Sequence, residues 1–404
     1  PLLAVRVAHA VRPASAAEAG EGAALCAARG ISHRTLAWRG EKPSRGLPAA
    51  AREARYRLLA EAAAAAGIAV IATGHTADDQ AETVLMRQAR AAGGDRGLAG
   101  MAPATLYDGR AWIVRPLLEV RRATLRALLR GEGIAWTEDP TNADESFERP
   151  RLRAALAASD SRICGALALA EKSARARIDL GLRAAALMRA HSCLPSAGLL
   201  RLAPAFAAEP DREAAIYALR ILLATAGGTA FLPGRAASAA RLEKIAAGPL
   251  RATLSRTVAD ARRAGIFLHR EGRGLPPAAP LVHAGIWDGR RRITFGDGAA
   301  NAVIAALGAE AAAAAAGGAA GVPRSLVRRA LAAEPALCRG PQRAPCGAKD
   351  AAGLAALPVA APFSRFLSGF DLAPAGAVAA LIGAAAVPAP PWRGHFGPAP
   401  CAQA

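Results

Sequence analysis

Along the first third of the chain, short and nearly continuous apolar runs alternate with longer Ala-rich segments of helical spacing. Residues 2–9, 31–38, 68–73 and 111–114 are the short runs. The run at 68–73 has no charged position, the pattern of a strand covered on both faces. Between the runs, residues 14–29, 47–66, 75–90 and 124–130 read as helices, and Gly30, Gly67 and Gly131 stand where helices commonly stop. Strands alternating with helices predict a parallel sheet with right-handed crossovers, and ligands of such sheets sit beyond the carboxyl ends of the strands. The expected class is α/β, a Rossmann-like parallel sheet with helices on both faces.

The pattern changes at Pro150. Residues 151–228 are almost all helix-forming, and beyond about 230 Gly and Pro become frequent. Short strand-like pieces at 291–295 and 302–307 fit a small α+β domain. The expected organisation is a catalytic domain at 1–149, a helical domain at 150–228, a C-terminal domain at 229–386 and a Pro-rich tail at 387–404.

Composition sets bounds on function. With 404 residues, 53% hydrophobic and 21% charged, the chain has ample core and is not wholly disordered. No run is long and apolar enough to predict a membrane-spanning helix. The six cysteines form no C-x-x-C pair, which disfavours zinc and dithiol redox chemistry. With no secretory leader at its start, the chain is expected in the cytoplasm. Lys+Arg 51 against Asp+Glu 32 leaves +19, which favours a polyanionic partner, nucleic acid first. An Ala-, Gly- and Arg-rich coding bias gives the same excess, so charge alone does not choose the partner.

Four segments carry candidate chemistry. In Ala72-Thr73-Gly74-His75-Thr76-Ala77-Asp78-Asp79-Gln80-Ala81-Glu82-Thr83, Gly74 suits a tight turn, and Thr76 with Asp79 resembles a capping box. On a helix His75 and Asp79 share a face, as do Asp78 and Glu82. One His and three acids at the end of a strand suit a hydrated Mg²⁺ beside phosphates; an acidic helix cap has the same pattern. At 139–153, Pro140 and Asn142 make a turn, and Arg149 and Arg153 lie four apart, placed to reach one phosphate or base, or to form a salt-bridged helix start. Arg52, Arg55 and Tyr56 fall on one side of a helix, a phosphate-facing patch with an aromatic or a solvated face. The Gly-rich stretch at 93–101 permits close backbone approach to a ligand or is a plain flexible loop.

Taken in order, G-H-T-A-D-D-Q-A-E-T-V-L-M-R at 74–87, G-L-A-G-M at 97–101, R-P-L-L at 115–118 and D-P-T-N-x-D-x-x-F-x-R-x-x-x-R at 139–153 resemble the tRNA(Ile)-lysidine synthetases. These are N-type ATP pyrophosphatases, also called PP-loop enzymes. V-A-H-A-V-R-P at 7–13 and A-R-E-A-R-Y at 51–56 fit the same family in the same order. Beyond 153 the likeness is fainter, carried by W-D-G-R at 287–290 and A-L-G at 306–308. The resemblance implies an ATP-dependent carbon–nitrogen ligase. ATP adenylates the C2 oxygen of the wobble cytidine in an isoleucine tRNA with a CAU anticodon, and free lysine then displaces AMP. It implies catalytic roles for His75, Asp78, Asp79, Asp139 and Arg149, and ATP binding by His9, Arg12, Gly74 and His75. It implies tRNA or lysine binding by Arg52, Arg55, Tyr56, Glu82, Arg115, Asn142, Asp144 and Arg153. ATP and Mg²⁺ are the implied cofactors, with Asp79 a ligand to the metal. A homodimer is compatible with this reading.

Three positions depart from the family pattern. Its S-G-G-x-D-S phosphate-binding loop is not in the chain, its D-H-G-L-R appears as A-H-A-V-R at 8–12, and Pro150 stands where Asn is usual. The chain is therefore expected to lack the first strand, loop and helix of the domain, and to be inactive and weakly stable by itself. The competing readings are a non-catalytic RNA-binding remnant and a tRNA thiolase; only Cys26 lies near the motifs for the latter.

Overall fold

The computed structural model describes residues 2–8, 15–40, 42–43, 45–90, 95–136, 146, 148–156, 159–280, 284–295, 303–318, 321–339, 342–346 and 355–392. His9, Arg12, Asp139, Asn142 and Asp144 lie outside the described residues. The chain divides into two compact units, residues 1–175 with 390–404, and residues 176–389.

The first unit has the expected α/β character. Strand β1 (Leu3–Ala8) runs parallel to β2 (Ser32–Ala37), with helix α1 (Ser15–Ala27) between them in sequence. Helix α2 (Leu47–Ala65) leads to β3 (Val70–Ala72). This strand is parallel to β5 (Ala111–Val114), which also pairs antiparallel with β4 (Ala104–Tyr107). Helices α3 (Ala77–Arg90), α4 (Arg122–Gly131) and α5 (Glu148–Leu156) complete the unit's shorter elements.

Two details differ from the sequence reading. Strand β4 was not expected. Its connection to β5 places Asp108 and Gly109 at φ 50° and 67°, the left-handed pair that a tight hairpin demands of Asp-Gly. Second, β3 is not covered on both faces: Val70 is 40% exposed, and β1 is half-buried along its whole length. The pairs β1/β2 and β3/β5 belong to separate sheets, and among the described residues no strand lies against the second edge of β1 or β3.

The second unit is built on an antiparallel sheet of order β6-β7-β10-β9-β8. Its strands are β6 (Ser192–Ser196), β7 (Leu199–Leu202), β8 (Leu250–Leu254), β9 (Thr257–Arg262) and β10 (Gly265–Arg270). The long helix α6 (Asp160–His191) precedes it, and α7 (Arg212–Gly227) and α8 (Arg235–Ala247) are inserted between β7 and β8. Ile221, Leu222 and Leu223 of α7 are fully buried and share a core with Ala259, Ala261, Ile266 and Leu268 of β9 and β10. The opposite face, through Leu199 and Phe267, packs on Leu326, Val327 and Ala330 of helix α10 (Arg324–Ala332), which follows the short α9 (Ala309–Ala315). The segment 150–228, expected to be helical, thus contains the β6/β7 hairpin. Pro195 and Gly198 punctuate it, and burial of Leu199, Leu200 and Leu202 outweighs local propensity.

After the short β11 (Ala279–Pro280) and β12 (Gly285–Trp287), the expected strands at 291–295 and 302–307 appear as β13 (Arg291–Thr294) and β14 (Val303–Ala306). The W-D-G-R stretch is a turn that opens β13. Asp288, fully buried, takes guanidinium groups from Arg256, Arg270 and Arg290. Gly289 is held at φ +71°, with the Gly228 carbonyl 2.1 Å from where a Cβ would stand. Among the described residues no helix is long and apolar enough to cross a membrane.

Candidate active site

The turn from β3 into α3 is locked by its own side chains. The Thr73 N–H donates to the Val114 carbonyl at 2.9 Å, extending the β3/β5 ladder, and the Thr73 hydroxyl donates to the same carbonyl at 3.2 Å. That leaves the Thr73 oxygen as an acceptor for His75 Nδ1, 2.9 Å away. The expected capping box is present: Asp79 Oδ2 accepts from the Thr76 N–H at 2.9 Å and its hydroxyl at 2.8 Å, and the Asp79 N–H points back to Thr76 Oγ1 at 3.4 Å.

His75 is lowered from 6.5 to about 4. Burial is the largest cause; the charges of Arg115, Arg52 and Arg149 act in the same direction, and Asp79 opposes them. The ring is therefore neutral near pH 7, with its proton on Nδ1 and a lone pair on Nε2. Asp79 is held below its ordinary value: burial pushes it up, but the Thr76 hydrogen bonds and the charges of Arg122 and Arg149 prevail. Arg115, buried at the end of β5, donates to the Ala102 carbonyl at 2.6 Å and to Thr105 Oγ1 at 3.1 Å. Its Nε is buried with no partner among the described residues. Burial also lowers the Arg115 guanidinium, yet it starts so high that the charge stays.

Helix α2 contributes Arg52, whose guanidinium lies 4.9 Å over the Tyr56 ring. Tyr56 itself is core. It is 3% exposed, packs with Tyr107 and Ile113, and is not a free platform for a base. Arg55 is exposed on the same helix.

The acids of α3 take up arginine rather than metal. Glu82 is 1% exposed; its Oε2 accepts from Arg149 Nε at 2.8 Å and its Oε1 from Arg153 Nε at 2.8 Å. Arg149 and Arg153 do converge four residues apart, as expected, and the group they share is this carboxylate. Asp79 Oδ1 accepts from Arg122 at 3.1 Å. Asp78 caps α4: its Oδ2 accepts the Arg122 backbone N–H at 2.7 Å, and Arg121 lies 3.4 Å from Oδ1. Among the described residues no group of three His, Cys, Asp or Glu is arranged to hold a metal ion. The described donor set therefore does not fit a resident Mg²⁺ at Asp79. It does fit an anionic ligand. Arg52, Arg115 and Arg149 all bear on His75, beside a turn where a Cβ on Gly74 would meet nothing within 4 Å. Gly74 adopts ordinary φ, so openness rather than a strained turn is what glycine supplies there.

The Gly-rich loop is fastened to α3. Gln80 donates to the Met101 carbonyl at 3.0 Å and accepts its N–H at 2.8 Å, and Arg87 donates to the carbonyls of Gly97 and Gly100 at 2.8 Å each. A Cβ on Gly100, at φ +65°, would lie 2.6 Å from the Gln80 side chain. The sequence reading missed Gln80, Arg87, Arg121 and Arg122. Gln80 and Arg87 are seven apart on one helix face, a signal that was available.

The PP-loop domain family matches residues 1–159, the stretch that carries this β/α unit and its cationic turn. The tRNA(Ile)-lysidine synthase of Mesorhizobium japonicum is 59% identical over 401 residues, covering 98% of this chain and 88% of that protein. The synthase of Rhizobium meliloti is 38% identical over 407 residues, covering 96% and 86%. The chain belongs to the tRNA(Ile)-lysidine synthase family. A solved U34-tRNA thiolase from Methanococcus maripaludis overlays 43% of this chain and 61% of its own with a TM-score of 0.35 and 14% identity, too slight a likeness to argue from.

Proposed function

We propose that this protein joins free lysine to an isoleucine tRNA at the expense of ATP. The cytidine C2 oxygen attacks the α-phosphorus of ATP and pyrophosphate leaves. The lysine amine then attacks C2, AMP leaves, and lysidine is formed. The observation that carries this reading is the buried His75 at the end of the β3/β5 pair, held neutral by burial and by the charges of Arg115, Arg52 and Arg149.

The positive charge that Arg52, Arg115 and Arg149 place around this turn favours the negative charge on the phosphoryl oxygens. Bound phosphates oppose those cations, so His75 rises from about 4 toward the range in which Nε2 accepts a proton from the lysine amine. Mg²⁺ is retained only as a counter-ion of the nucleotide phosphates, with no protein ligand assigned. Asp139, Asn142 and Asp144 remain the proposed lysine and cytidine contacts, on the resemblance alone.

The test is ATP-dependent incorporation of labelled lysine into a CAU-anticodon tRNA transcript, with AMP and pyrophosphate as co-products. Arg115→Ala and His75→Ala are expected to lower turnover about 100-fold or more. Retained tRNA binding with no lysine incorporation by the unmodified protein overturns the reading.

A further inference from the structure

At the end of the Gly-rich stretch, three successive carbonyls are occupied in a fixed order. That of Met101 accepts Gln80 Nε2 at 3.0 Å, and that of Ala102 accepts Arg115 Nη1 at 2.6 Å. That of Pro103 accepts the Arg115 main-chain N–H at 2.8 Å. Gln80 Oε1 also accepts the Met101 N–H at 2.8 Å, so one side-chain amide grips both main-chain groups of Met101. Two directional bonds fix the orientation of this backbone as well as its position. The next carbonyl along is the one that holds the Arg115 guanidinium.

Strand pairing does not do this work. Strand β4 starts at Ala104, so Met101 and Ala102 lie outside the β4/β5 ladder. What fixes them is helix α3. Gln80 is 7% exposed and stands one residue after Asp79. Arg87, two turns further along the same face, holds the Gly97 and Gly100 carbonyls from the exposed side. The close approach that glycine permits at position 100 is to Gln80 rather than to a ligand. Arg115 keeps two other contacts, with Thr105 Oγ1 at 3.1 Å and a hydrogen bond to Tyr56, so the loss of Gln80 displaces the guanidinium without freeing it.

We propose that Gln80 is a positioning residue for Arg115: it holds Met101 so that the Ala102 carbonyl keeps the guanidinium directed at the phosphates bound beside His75. This rests on the reading of Arg115 as a phosphate-stabilising cation given above. It gives the Gly-rich stretch a part in the reaction without contact to a substrate.

The test is a double-mutant cycle on the full chain, read as kcat/KM for ATP in the labelled-lysine assay. Gln80→Met keeps the side-chain volume and removes both bonds to Met101. It is expected to lower kcat/KM for ATP about tenfold, the loss that a small misplacement of a charged group produces. In the R115A background the same substitution is expected to change it less than about twofold, because the group it positions is gone. A smaller folded fraction would instead lower both backgrounds by the same factor. Arg87→Gln acts on the same segment from the exposed face of α3 and spares the core, so it carries the same comparison if Q80M does not fold. Its expected loss is about threefold to fivefold, again absent in R115A. Equal losses in the two backgrounds overturn the positioning role while the ligase reading stands. Full turnover in R115A alone overturns the reading of Arg115 and the positioning role with it. No lysine incorporation by the unmodified protein overturns both.

Discussion

At His75, burial and three guanidinium groups act in one direction. In the unfolded chain the ring titrates at 6.5; in the folded chain it does so at about 4. Between those values the unfolded chain takes up a proton that the folded chain refuses, so this residue's contribution is fully present above pH 6.5 and falls as pH drops toward 4. His75→Gln is therefore expected to flatten the fall in unfolding free energy between pH 6.5 and 4, measured by urea titration at each pH. An unchanged slope contradicts the assigned charge state. Gly289 gives a second prediction at this scale. A methyl group there meets a carbonyl oxygen at 2.1 Å with φ at +71°, so Gly289→Ala is expected to cost about 2 kcal/mol or more in the same measurement. The motif made His75 legible in the sequence. Its neutrality was not, because burial and the charges of Arg52, Arg115 and Arg149 come from separate elements.

Between elements, Glu82 fastens α5 to α3. Its buried carboxylate receives Arg149 and Arg153 directly and lies 3.6 Å from Arg122. Glu82→Gln leaves those guanidinium groups without the charge that holds them, although they are themselves partly exposed. The expected loss is about 2 kcal/mol, below that for a fully buried pair. The same change lets Arg149 move relative to His75, so turnover falls as well as stability. Loss of stability with turnover intact contradicts that coupling. Asp78→Ala removes the acceptor for the first N–H of α4 and is expected to cost about 1 kcal/mol. The spacing of Arg149 and Arg153 predicted that they act together. It could not say on what, because their acceptor lies far back in the chain on another helix.

For the molecule as a whole, stability is unevenly distributed. The second unit has a continuous core around α7, whereas β1 and β3 each leave an edge unpaired among the described residues. Amide hydrogen exchange is expected to be slowest in α7, β9 and β10 and fast in β1 and β3; the reverse order contradicts the structure. The net charge of +19 divides likewise. Arg256, Arg270 and Arg290 serve Asp288, and Arg122, Arg149 and Arg153 serve the acids of α3, so those arginines hold the fold together. By itself the sequence determined the alternation of strands and helices in the first unit, the capping box at Thr76 and the family, because these rest on local periodicity and on residues close together in the chain. Only the tertiary structure decided that Glu82 is a buried anchor, that Tyr56 is core and that residues 192–202 form a hairpin. Each depends on which distant groups are brought within a few ångströms and shut away from water, and local spacing carries no record of that.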